Sequence, residues 1–136
     1  MAAGYSGTPL MKKLGIKDRQ HLIILHAPKN YSEVLGRLPD NVHVAPRLES
    51  PLDFIQFFTV SRAELESEFP RLKKALSQDG MLWVSWPKRS SKVDSDLSGN
   101  TVMNIGLRNG LVDVKVCAVD ETWSGLKFVR RLKDRT

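Results

Sequence analysis

Three groups of side chains in this sequence could do chemistry, and each stands at the end of an apolar run. His26 closes the run His21-Leu22-Ile23-Ile24-Leu25-His26-Ala27. An imidazole changes charge near neutral pH without special help, so His26 is a candidate acid or base, against the plainer reading of a structural histidine. Asp120, with Glu121 and Trp123 beside it, lies between two alternating runs. It could supply a carboxylate next to a stacking aromatic ring, or simply accept backbone N–H groups in a turn. The third group is basic: Lys29 follows Pro28, and Lys88, Arg89, Ser90, Ser91 and Lys92 follow Pro87. A proline fixes each corner and a lysine there offers a point charge to an anion, so these six residues, with Trp123, form a candidate anion site. The competing reading is a solvated loop, because Lys-Arg-Ser-Ser-Lys lacks the glycines of a phosphate-cradling loop.

Several chemistries are excluded. The chain has no Gly-x-Ser-x-Gly elbow and no phosphate-loop motif. Its one cysteine, Cys117, leaves no internal disulfide and no paired-cysteine zinc site. Cys117 is expected mid-strand, buried and inert. His21, His26 and His43 lack metal-ligand spacing, so no metal is expected. With 136 residues, 41% of them hydrophobic and 26% charged, one globular domain is expected over residues 1–136. Residues 1–18 read as a helical arm and 132–136 as a frayed tail. No apolar run approaches the roughly 20 residues of a membrane span, and Met-Ala-Ala-Gly-Tyr is not a signal peptide; a cytoplasmic protein follows as the expectation. The net charge of +6 is uneven, with excesses over residues 1–29, 87–92 and 126–136. Such an excess favours anionic partners, small molecules first and nucleic acid as a lesser option.

The elements that must position these residues can be read in turn. Thr8-Pro9 can open, and Gly15 close, a short helix carrying Leu10, Met11 and Leu14 on one face. His21–Ala27 has the continuous apolarity of a strand covered on both faces. Tyr31–Leu38 reads as a helix capped by Asn30 or Ser32, Val42–Ala45 as a short strand, and Leu52–Phe58 as another. Ser61-Arg62-Ala63-Glu64 has capping-box spacing, with Glu64 expected to reach back to a free N–H. Leu65, Phe69, Leu72 and Leu76 continue that helix, which Pro70 is expected to kink or split. Asp79-Gly80 then launches a central strand from Gly80 to Lys88, with Trp83 and Trp86 on opposite faces. Asp96 or Ser98 could cap a helix through Val102, Ile105 and Gly106. Leu111–Val119 and Ser124–Arg131 alternate and should pair as an antiparallel hairpin.

Strands alternating with helices imply a three-layer α/β domain around a mostly parallel sheet. The closing helix and hairpin, with Gln78-Asp79-Gly80-Met81-Leu82-Trp83-Val84 ahead of them, resemble the second half of the class I S-adenosylmethionine-dependent methyltransferase fold. The runs Gly80–Lys88 and Gly110–Lys127 also resemble a short, uncharacterised bacterial family described only as a domain of unknown function. The resemblance implies a truncated Rossmann-like sheet of order 2-1-3-4-6-5 with the last strand antiparallel. Two departures from the methyltransferase pattern argue against a cofactor. His26-Ala27-Pro28-Lys29-Asn30 has no glycine, and Ala45-Pro46-Arg47 stands where an acidic residue would hold the ribose, with Glu49 past the proline. The expectation is therefore a non-catalytic module that binds an anionic small molecule or a protein and takes no S-adenosylmethionine. The alternatives are a divergent methyltransferase with a non-standard cofactor site, using His26 or Asp120, and a nucleic-acid-binding protein.

Overall fold

The computed structural model describes residues 9–135. Its sheet has six strands: β1 (His21–Leu25), β2 (His43–Val44), β3 (Leu52–Phe58), β4 (Leu76–Pro87), β5 (Leu111–Ala118) and β6 (Trp123–Arg130). The order is β2-β1-β3-β4-β6-β5, as expected, with β6 antiparallel to both of its neighbours. One face carries the short helices α1 (Leu10–Leu14) and α2 (Tyr31–Leu35); the other carries α3 (Arg62–Ala75) and α4 (Gly99–Arg108).

Because successive strand residues alternate between faces, each buried strand feeds two cores. Phe54, Phe58 and Trp83 pack with Leu14 and Tyr31 on the first face, while Ile55, Phe57, Val84 and Trp86 pack with Leu65, Phe69 and Ile105 on the second. The two tryptophans thus point to opposite layers, 0% and 7% exposed. Trp83 Nε1 donates to the Leu14 carbonyl at 2.8 Å and ties the end of α1 to the central strand. Gly15 ends α1 in the left-handed conformation, at φ 85°. The helix start expected at Thr8 lies outside the described residues. Gly106 allows α4 to touch β6, since a Cβ there would meet Phe128 Cε1 at 2.0 Å.

Three local expectations are corrected. Helix α3 runs unbroken through Pro70, with Leu65, Phe69 and Leu72 buried on one side. Pro70 and Glu66, whose carbonyl loses its helical partner, are both exposed, so water replaces the missing bond and the buried stripe holds the axis. Second, β4 begins at Leu76 without a loop at Asp79-Gly80. The extra residues form an irregularity between the pairs Leu52–Leu76 and Phe54–Met81. Arg130 supports this abrupt change, its Nη2 donating to the carbonyls of Lys73 at 2.7 Å and Leu76 at 2.8 Å. Third, the tail is not frayed as far as Arg135. Residues Leu132–Asp134 form a single 3-10 turn, and the Arg135 guanidinium donates to the Arg130 carbonyl at 3.0 and 2.9 Å. Among the described residues no helix is long and apolar enough to cross a membrane.

Candidate functional site

In an open parallel sheet the ligand crevice lies at the carboxyl ends of the strands, where the strand order reverses. Here β1 leads through α2 to β2 on one side, and β3 leads through α3 to β4 on the other, so the reversal falls between β1 and β3. His26 follows β1 and Thr59 follows β3, so the two flank this crevice.

His26 is held at φ 59°, a left-handed conformation that histidine adopts more readily than most residues. Its ring lies 5.1 Å from the Phe57 ring, and its Nδ1 stands 3.9 Å from Glu64 Oε1. The same Glu64 oxygen accepts from the Thr59 hydroxyl at 2.5 Å. Thr59 Oγ1 in turn accepts from Ser61 N at 3.2 Å, and Ser61 Oγ accepts from Glu64 N at 3.1 Å. The Ser61 cap therefore forms as expected, but the Glu64 carboxylate turns to Thr59 and His26 instead of the backbone. Thr59 is 4% exposed, whereas the side chains of His26 and Glu64 are 54% and 41% exposed. The result is a fixed carboxylate beside Nδ1 of an accessible imidazole.

The expected anion site is brought together only in part. Lys88 and Arg89 line a cleft of about 440 Å³ with Trp86, Leu97, Ser98, Asn100 and Ser124. With Ser91 they also line a neighbouring cleft of about 490 Å³. Lys88 N donates to the Thr122 carbonyl at 2.7 Å, so this corner is pinned to the hairpin. Ser90 and Lys92 belong to the same exposed loop but line neither cleft, and Lys29 stands apart on the exposed corner after β1. Asp96 is not the cap of α4; its carboxylate accepts from Arg62 N at 2.7 Å, and Ser98 caps α4. Asp120 Oδ1 accepts from Thr122 N and Trp123 N, both at 2.8 Å, which is the turn-forming role. Trp123 begins β6 half-buried, its ring 5.2 Å from Phe58. Cys117 is half-buried, short of the full burial expected, and burial pushes its thiol pKa up, which keeps it protonated. Among the described residues no three His, Cys, Asp or Glu side chains group to hold a metal.

Sequence reasoning missed the partners of His26, since Glu64 served there only as a helix cap. It also missed a buried polar line beneath the crevice. Tyr31 Oη donates to Gln56 Oε1 at 2.6 Å, and Gln56 Nε2 donates to Ser85 Oγ at 3.1 Å. Burial pushes the Tyr31 phenol far above its ordinary pKa, against a smaller opposing effect of its bond to Gln56. With Phe58 and Trp123, Tyr31 makes an aromatic floor under the α2 side of the rim.

The fit of a nucleotide-type cofactor can be judged on two features. The turn after β1 is left-handed at His26, φ 59°, without glycine, and it keeps a side chain where glycine would leave bare backbone to a phosphate. The acid after β2 differs, because Arg47 holds Glu49 at 3.2 Å on the exposed surface.

No family model matches the chain, and no curated protein matches it. Solved structures do. The chain is similar to a SAM-dependent methyltransferase from Aquifex aeolicus, at 14% identity over 88% of this chain and 86% of that one, with a TM-score of 0.62. It is also similar to magnesium protoporphyrin IX methyltransferase from Synechocystis PCC 6803 with bound SAH, at 10% identity over 90% and 78% of the two chains and a TM-score of 0.57. A third similar structure is the ribosomal protein L11 methylase from Lactobacillus delbrueckii subsp. bulgaricus, at 11% identity over 90% and 75%, with a TM-score of 0.56. Neighbours that carry SAM or SAH overturn the expectation that this chain takes no cofactor. The fold of this chain is that of the SAM-dependent methyltransferases.

Proposed function

We propose that this chain is a divergent methyltransferase that binds S-adenosylmethionine or S-adenosylhomocysteine in a non-standard pose at the crevice between β1 and β3, with His26 as its proton acceptor. The observation that carries this reading is the His26–Glu64–Thr59 arrangement at the reversal of strand order. The neighbours' bound SAM and SAH support the cofactor. Bound there, S-adenosylmethionine would supply an electrophilic methyl group. His26 Nε2 takes the proton of the attacking nucleophile, and Glu64, fixed by Thr59 with Oε1 3.9 Å from Nδ1, favours the imidazolium so formed. Lys88 and Arg89 favour a negatively charged acceptor in the cleft they line after β4.

The test is a thermal titration with S-adenosylhomocysteine at moderate salt. Ligand at a hundred times its Kd stabilises by about 2.7 kcal/mol. Glu64→Gln should keep that stabilisation and lower methyl transfer, because it removes the negative charge beside the imidazole and not the turn. No stabilisation up to millimolar ligand overturns the proposal. A second reading, a non-catalytic module for an anionic small molecule, rests on the cleft at Lys88 and Arg89, since neither side chain has an ion pair among the described residues. It is favoured if Lys88→Ala abolishes binding of an anion while S-adenosylhomocysteine has no effect.

A further inference from the structure

At the end of β1 opposite His26, two other imidazoles meet. His21 and His43 are register partners on the neighbouring parallel strands β1 and β2. Paired residues of adjacent strands project to the same face of a sheet. Ile23 and Ala45, two positions further along, both pack on the α3–α4 side, so the two histidines stand on that side as well. Both are exposed. Their ring centroids are 5.0 Å apart, with the planes at 74°. A divalent ion held by two imidazoles at about 2.0–2.1 Å, in near-tetrahedral geometry, sets the ring centres about 5 Å apart. Two rings packed edge to face reach a similar distance. This pair differs from simple packing in being solvent-facing and in having, among the described residues, no hydrogen bond or ion pair to either ring. The Asp53 carboxylate stands on the next strand, its Oδ2 accepting from His21 N at 2.9 Å, and brings a negative charge to the same end of the sheet.

We infer that His21 and His43 form a two-histidine clamp for a divalent transition-metal ion of the zinc type, with water in the remaining positions. Imidazole nitrogen suits zinc, copper and nickel, whereas magnesium and calcium require oxygen ligands. Among the described residues no third His, Cys, Asp or Glu completes the set, so the site is open on one side. The backbone holds the two rings in register: His43 N donates to the Gln20 carbonyl at 2.9 Å, and Ala45 N to the Leu22 carbonyl at 2.8 Å. Strand β2 is only two residues long and lies at the edge of the sheet. An ion shared by His21 and His43 locks this short strand to β1. The site lies at the other end of β1 from the His26 crevice, so it does not rest on the methyltransferase reading.

The probe is zinc chloride, titrated calorimetrically into the full chain in a buffer that does not chelate, with magnesium chloride as the matched blank. Saturable binding by the wild type is expected. His21→Ala and His43→Ala should each weaken it at least tenfold, because a lone imidazole lacks the gain of a second ligand held beside it. Cys117→Ser, which removes the one thiol, should leave it unchanged. Urea denaturation with a chelator present shows that the variants fold, and their midpoints should lie close to that of the wild type because both rings are exposed. A second measurement needs no variant. In the wild type, zinc should shift the imidazole NMR signals of His21 and His43 together, at a concentration that leaves His26 unmoved, and should slow amide exchange at His43 and Ala45. Equal affinity in either variant, or heat no greater than that of magnesium, overturns the site. Ring signals of His21 and His43 that stay in place, or exchange at the two amides that zinc does not slow, overturn the clamp as well.

Discussion

Replacing His26 by glycine and, separately, by alanine isolates what the turn after β1 contributes. Both changes remove the imidazole and its contact with Phe57 at 5.1 Å. Ring contacts of this kind are worth about 0.5–1.5 kcal/mol, and the half-exposed setting of His26 places this one at the lower end. Only alanine keeps a Cβ in the left-handed conformation that His26 holds at φ 59°. That conformation costs an L-residue about 1–2 kcal/mol, and glycine nothing of the kind. His26→Ala should therefore fall below the wild type by about 0.5 kcal/mol. His26→Gly should equal or exceed the wild type. The glycine variant should lie about 1 kcal/mol above the alanine variant, a difference of several degrees in Tm for a domain of this size. Urea denaturation followed by tryptophan emission measures both. His26→Gly should also retain S-adenosylhomocysteine binding while losing methyl transfer, since the turn survives and the base does not. An alanine variant as stable as the glycine variant would refute the argument that the turn is maintained against its own backbone preference.

Three other perturbations follow from contacts in the structure. The Tyr31 phenol has a raised pKa, so the folded state holds its proton more tightly than the unfolded state. Its contribution is fully present below about pH 10 and is lost as pH rises above that unfolded value. Tyr31→Phe should flatten the alkaline limb of a stability–pH curve, while lowering stability near neutral pH by about 1–2 kcal/mol because Gln56 loses a buried partner. Gly106→Ala would set a methyl group 2.0 Å from Phe128 Cε1 and should lose about 1–3 kcal/mol in urea titration. Arg130→Met should lower the unfolding free energy by about 1.5–3 kcal/mol in urea titration, since the carbonyls of Lys73 and Leu76 lose a charged donor.

The fold was legible where local and global preferences agree. Continuous apolar runs at β1 and β3, alternation in β5 and β6, and capping residues at Ser61 and Ser98 marked the elements, and the resemblance of Gly80–Lys88 and the hairpin supplied their order. What stayed hidden depends on meetings between distant segments. The ring of His26 reaches Glu64 only because β1 and β3 are neighbours, and no spacing rule connects the two positions. Glu64 was hidden further by fitting a capping box, a local explanation that satisfied the sequence and left its carboxylate free for another partner. Pro70 misled for the opposite reason: its local cost is real, but exposure and the stripe of Leu65, Phe69 and Leu72 outweigh it.

Helix α1 is fastened at its end by two successive carbonyls, Lys13 to the ammonium of Lys115 and Leu14 to the indole of Trp83. Both anchors come from the later part of the chain. A five-residue helix has no stability of its own. As the polypeptide is synthesised, α1 must wait for its partners. At about 5–20 residues per second, the interval until Lys115 appears is on the order of ten seconds. Over that interval Leu10 and Leu14, both buried in the finished protein, gain their core piece by piece as Leu22, Phe54, Phe58 and Trp83 appear. This early segment is thus among the last to be locked, and closing it joins α1 to the hairpin that completes the sheet.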